Sequence, residues 1–129
     1  MRIEGHNRKW DAHDESALED VLRFRDGVGG GLFWISDDAD SFPVMAIRIS
    51  GSLADVHYFP DEDHPGFRAL AEPSQQRGGT TAFIYEGCDP ATGEETPSEF
   101  VLPVSTAILI AKEFHLTRTR SSAVSWFEA

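Results

Sequence analysis

The densest run of chemistry-bearing side chains is His57, Asp61, Asp63 and His64, in the segment ADVHYFPDEDHPGF at 54–67. Imidazole and carboxylate groups ligate zinc and related ions, so these four could form the centre of a small metal-dependent enzyme. Their context argues against it. No His-Glu-x-x-His pair and no paired cysteines accompany them, and the acids lack the spaced ligands and glycine of a calcium-binding helix–loop–helix. His57 falls within a strand pattern, and His64, just before Pro65, is expected to bond a carboxylate or a backbone group. Cys88 is the single cysteine and stands between acidic neighbours, Glu86 and Asp89, a setting that disfavours a thiolate nucleophile. There is no Gly-x-Ser-x-Gly elbow to anchor a hydrolase triad. Carboxylates suited to glycoside cleavage are numerous, but no spacing singles out a pair. The residues therefore assign no catalytic group, metal or cofactor, and the expectation is a binding protein rather than an enzyme.

The elements that must position this run follow from period and punctuation. Pro43–Ser50 and Leu53–Phe59 alternate like strands, and Gly51-Ser52 between them is a two-residue hairpin turn. Ala54, Val56 and Tyr58 share one face of the second strand; Asp55, His57 and Phe59 share the other. Pro60 and Pro65-Gly66 stop that strand and stiffen the loop after it. A strand at Leu32–Ser36 precedes the turn at Asp37, Asp38 and Asp40. Because the hairpin reverses the chain, this turn and the Asp61, Glu62, Asp63 and His64 loop are expected at the same end, opposite Gly51. With Phe59 and Phe67 beside them, they form the candidate partner-binding set.

Elsewhere, Ser16 and Glu19 match a capping box, opening a helix whose apolar stripe is Ala17, Leu18, Val21, Leu22 and Phe24 and which Asp26-Gly27 ends. Gly27, Gly29, Gly30 and Gly31 follow a helix and precede a strand. That is the reverse of a phosphate-binding loop, so they read as a flexible joint. Arg2–Glu4 is a possible edge strand. Phe67–Ala71 and Thr80–Glu86 read as strands, with Ser98–Leu102 pairing with the latter after a long polar connection at Gly87–Pro97. Pro103 opens a second helix lined by Val104, Ala107, Ile108, Ala111 and Phe114, and Ala123–Phe127 is a last strand. Trp34, Tyr58, Phe83, Tyr85 and Trp126 are expected in the core, since they sit on alternating strands. The sum is one α+β domain over residues 1–129: about six mostly antiparallel strands in one sheet, with two helices on one face.

Composition narrows the partner. The formal net charge is −11, and residues 31–99 carry thirteen Asp or Glu against three Lys or Arg. Such a field disfavours direct nucleic-acid or membrane binding and favours a basic protein partner. One cysteine allows no internal disulfide and fits a reducing compartment. No apolar run approaches a membrane span, and the MRIEGHNRKW start has no signal-peptide core. A cytoplasmic protein is the expectation.

The ordered combination FPVMAIRISGSLADVHYFPDEDHPGF, TTAFIYEG, VLPVSTAILIAKEF and AVSWFE resembles Immunity protein family 1 of bacterial polymorphic toxin systems, across about Phe33 to Glu128. The resemblance implies a cytoplasmic α+β protein that binds a cognate secreted toxin, often a nucleic-acid-directed one such as a deaminase, and needs no chemistry of its own. An interaction module with an unrelated partner is the alternative that keeps the same surface.

Overall fold

The computed structural model describes residues 1–38, 41–88 and 95–129. The hairpin at its centre is the one the alternation demands. β4 (Val44–Ser50) and β5 (Leu53–Phe59) pair from Val44 with Phe59 to Ser50 with Leu53, and Gly51 turns the chain with a φ of 60° that suits glycine. Around this pair lie β1 (Arg2–Gly5), β2 (Arg8–Asp11), β3 (Gly30–Ser36), β6 (Phe67–Leu70) and β10 (Ser125–Glu128). The sheet runs in the order β10-β6-β5-β4-β3-β1-β2, and the short β9 (Leu102–Pro103) also pairs with β5. A separate small ribbon joins β7 (Thr80–Ala82) to β8 (Glu95–Pro97). Every strand pairing among the described residues is antiparallel.

Both helices pack on one face of the sheet. Ile3, Ile35, Met45, Ile47, Ile49, Ala54 and Val56 supply that face, and Leu18, Leu22, Ile108, Ala111 and Phe114 cover it; all are buried. Burying a large apolar side chain contributes about 1.5–3 kcal/mol, so this layer is the main source of stability. The helices α1 (Glu15–Leu22) and α2 (Val104–Thr117) are also tied by Lys112 Nζ to Glu19 at 2.5 Å. Among the described residues no helix is long and apolar enough to cross a membrane.

The α+β class and the two helices on one face agree with the sequence pattern, but several local expectations need correction. There are ten short strands among the described residues rather than about six, and β7–β8 forms a sheet of its own. Arg2–Glu4 belongs to an inner strand, because Arg8–Asp11 adds outside it. α1 is capped by Asp14, whose carboxylate accepts from the Ala17 N–H at 2.8 Å; Glu19 reaches Lys112 and Arg23 instead of closing a box with Ser16. The helix ends before Phe24, whose ring packs on Trp10. The strand at Thr80 stops at Ala82. Its partner is Glu95–Pro97, and Ser98–Phe100 is a single 3-10 turn. Tyr85 accordingly lies outside any strand, half-buried.

The glycine segment is a built corner rather than a loose joint. Gly30 and Gly31 are part of β3, and a side chain on Gly30 would fall 2.0 Å from the Ile84 carbonyl oxygen. The Asp26 carboxylate accepts from the backbone N–H groups of Val28, Gly30 and Glu86 at 3.0, 3.0 and 2.8 Å.

Candidate functional site

The face of the sheet away from the helices divides into a covered half and an open half. In the covered half Arg48 and Asp55 are paired across β4 and β5. Alternation puts Asp55 on this outer face, yet it is only 1% exposed. Arg48 Nε donates to Asp55 Oδ1 at 2.9 Å, and its Nη2 reaches both Asp55 Oδ2 and Thr96 Oγ1 of β8, the latter at 3.1 Å. Arg68 Nη2 approaches the same carboxylate from β6 at 3.7 Å. The two guanidinium groups lie over Phe83 and Phe100, at 5.3 and 4.0 Å from the ring centroids. Phe83, Thr96 of β8 and Phe100 of the 3-10 turn thus cap the ion cluster. Its energetic logic is satisfaction of a buried charge: two cations and a paired geometry offset the loss of water.

Among the described residues no such cap covers the other half. Trp34 of β3, 44% exposed, and Phe59 of β5 meet across β4 with ring centroids 6.2 Å apart and planes 26° apart. The residues of β4 beneath them, Val44 and Ala46, are small enough to let the rings approach. His57 continues the row, 6.1 Å from Phe59 and nearly parallel to it. Phe42, 43% exposed, stands at the β4 entrance. Trp34, Phe42, Val44 and Phe59, together with Glu4, Ser36, Asp61, Glu62 and His64, line an open groove of about 720 Å³.

The loop after β5 is built to hold one wall of this groove. The Asp61 carboxylate accepts from the Asp63 N–H at 3.1 Å, a turn that the side chain itself stabilises. His64 is a staple: Nδ1 accepts from the Gly66 N–H at 2.8 Å, leaving Nε2 to donate to Glu128 at 2.9 Å, and its ring stacks on Phe67 at 4.7 Å. Gly66 has a φ of 102°, and any side chain there would fall 2.8 Å from the Phe59 ring. The glycine therefore both makes the turn and lets Phe59 lie flat against it.

The anticipated partner-binding residues separate. Phe59, Asp61, Glu62 and His64 line the groove, and Asp63 is exposed on the same loop. Phe67 faces the helix side, against Tyr58 and beneath Arg120, whose guanidinium is 3.8 Å from the ring centroid. Asp37 pairs with Arg118 at the end of α2 at 2.7 Å, and this hydrogen-bonded partner lowers its carboxyl pKa. Asp38 is exposed and its backbone is fixed by Ser41. Asp40 lies outside the described residues, as does most of the Gly87–Pro97 connection. The strand pairing does put the turn after β3 and the loop after β5 at the end opposite Gly51.

Trp34 and Phe42 are additions that the sequence reading missed. Trp34 is not in the core: parity in Leu32–Ser36 groups it with Leu32 and Ser36, away from Phe33 and Ile35, and this signal could have found it. Tyr58, by contrast, is buried, and its hydroxyl donates toward the Arg118 carbonyl at 3.4 Å. Among the described residues no three His, Cys, Asp or Glu side chains converge on a possible metal position; His64 has both nitrogens engaged, and His57 stacks on Phe59. No protein-family model matches this chain, and no curated protein matches it in sequence.

Proposed function

We propose that this chain is an inhibitory binding protein of the immunity type, which occupies the basic groove of a nucleic-acid-directed toxin, such as a deaminase or nuclease, in the cytoplasm of the cell that makes both. The observation that carries the reading is the open half of the sheet: exposed aromatic rings beside Asp61 and Glu62, neither of which has an ion-pair partner among the described residues. The exposed Trp34 and the half-buried Phe59 on a rigid sheet, with Phe42 beside them, supply contact area at low ordering cost, and uncompensated carboxylates steer a basic partner. The resemblance to Immunity protein family 1 supplies the partner's class. A toxin groove shaped for a polyanion is complementary to this acidic surface. Inhibition by occlusion requires no catalytic group.

The test is a search for a toxin reading frame immediately upstream and binding of its toxin domain, measured at low salt with the wild type and with Asp61, Glu62 and Asp63 all replaced by Lys. All three are exposed, so the sheet and core are retained; because Asp61→Lys also removes the hydrogen bond from the Asp63 N–H, Asp61→Asn with Glu62→Lys and Asp63→Lys is the companion variant, and both are expected to lose affinity through slower association. An unchanged affinity would remove this loop from the interface.

A further inference from the structure

Resting on that reading, and deepening it, we infer that the groove receives an arginine side chain of the partner, its guanidinium stacked on Trp34 and Phe59 and its N–H groups directed at Asp61 and Glu62. Three features of the groove select this chemistry. First, the floor is aromatic and open: Trp34, 44% exposed, and the half-buried Phe59 lie side by side across β4 with their planes 26° apart, and tryptophan is the best aromatic platform for a cation. Second, the charge is unbalanced in one direction. Glu4 is already paired with Arg2 at 2.6 Å and His64 is committed to Gly66 and Glu128, which leaves Asp61 and Glu62 as lining carboxylates without a counter-charge among the described residues. Third, the chain itself uses the same recognition elsewhere. Arg48, Arg68 and Arg120 lie over Phe83, Phe100 and Phe67, two of them while reaching the Asp55 carboxylate. The covered half of the outer face thus shows, within the chain, the kind of arrangement inferred for the open half. A planar guanidinium can stack and donate to a carboxylate at once, which an ammonium group cannot do as well.

The experiment needs no partner protein, so its outcome is separable from that of the inhibitor reading. The full chain is labelled with ¹⁵N, its three tryptophan indole signals are assigned with Trp34→Phe, and the capped peptide acetyl-Gly-Arg-Gly-amide is titrated in at low salt. Matched peptides carrying citrulline, lysine and norleucine serve as comparisons. The expected result is a saturable shift of the Trp34 indole with Trp10 and Trp126 unmoved. Affinity is expected to be about fivefold or more weaker for citrulline, in line with roughly 1 kcal/mol for an exposed cation–π contact. Asp61→Asn combined with Glu62→Gln should reduce the shift, as should added salt. A still Trp34 signal, or equal responses to arginine and citrulline or to arginine and lysine, would overturn the proposal. A chain that neutralises a toxin while its Trp34 ignores arginine keeps the inhibitor reading and loses this one.

Discussion

At the scale of single residues, the outer face is governed by which charges have partners. Asp55 is a carboxylate taken almost wholly out of water, and it is tolerable there because Arg48 holds it in a two-point contact and Arg68 stands behind. Removing it leaves two half-buried guanidinium groups facing each other. Asp55→Ala is expected to cost about 3–5 kcal/mol, as for other broken buried pairs. Thr96→Val removes only one hydrogen bond to Arg48 and should cost about 1 kcal/mol. Urea unfolding of the two variants checks both, and equal small losses would mean that the cluster contributes little. The groove residues show the opposite economy. Asp61 and Glu62 lie in solvent, where single charges are worth about 0–1 kcal/mol, so their neutralisation should leave stability unchanged while altering binding.

At the scale of elements, the corner between α1 and β3 is fixed by Asp26. Burial favours its neutral form, but the backbone N–H groups of Glu86, Gly30 and Val28 outweigh this and lower its pKa. A carboxylate whose pKa is lower folded than unfolded stabilises above its ordinary titration range and loses that contribution as pH falls through its folded value. Asp26→Asn is therefore expected to cost about 2 kcal/mol near neutral pH, the scale of hydrogen bonds to a charged group. The gap to wild type should close in acid, below the usual carboxylate range; a gap of constant size from neutral to acid would show that charge is not what binds the corner. This corner also marks a limit of sequence reading. The β4–β5 hairpin was legible because parity, Gly51 and the flanking prolines are local signals that agree. So was α2, from Pro103 and its apolar stripe. The corner looked loose because Asp26 meets Glu86 only through the fold. α1 was expected to open at Ser16, but Asp14 caps it two residues earlier, and local pattern does not decide between two such residues. Half of the site was legible, the Asp61–His64 loop, because its stiffeners are sequential. On the Trp34 side, parity alone puts the ring on the outer face, but whether that face stays open depends on where the β7–β8 cap ends, which is a tertiary matter.

At the scale of the whole molecule, one sheet is covered by helices on one face and by a small ribbon on half of the other, and the excess negative charge lies in residues 31–99, which supply most of that remaining half. Long-range attraction and short-range fit are therefore carried by different groups, and kinetics can separate them. Charge acts before contact, within a screening length of about 8 Å at physiological salt. The Asp61, Glu62 and Asp63 reversal to Lys is expected to slow association by about tenfold or more at low salt, with little change in dissociation. The aromatic floor acts after contact. Trp34→Ala should leave association and its salt dependence intact and speed dissociation by about 30-fold, the effect of losing a hot spot of about 2 kcal/mol. Circular dichroism would verify that the sheet is retained, which the 44% exposure of Trp34 leads one to expect. Surface plasmon resonance against the proposed toxin partner at several ionic strengths reads both constants. If Trp34→Ala changed association alone, the rings would not be packed in the complex, and the partner would be held at the acidic rim rather than in the groove.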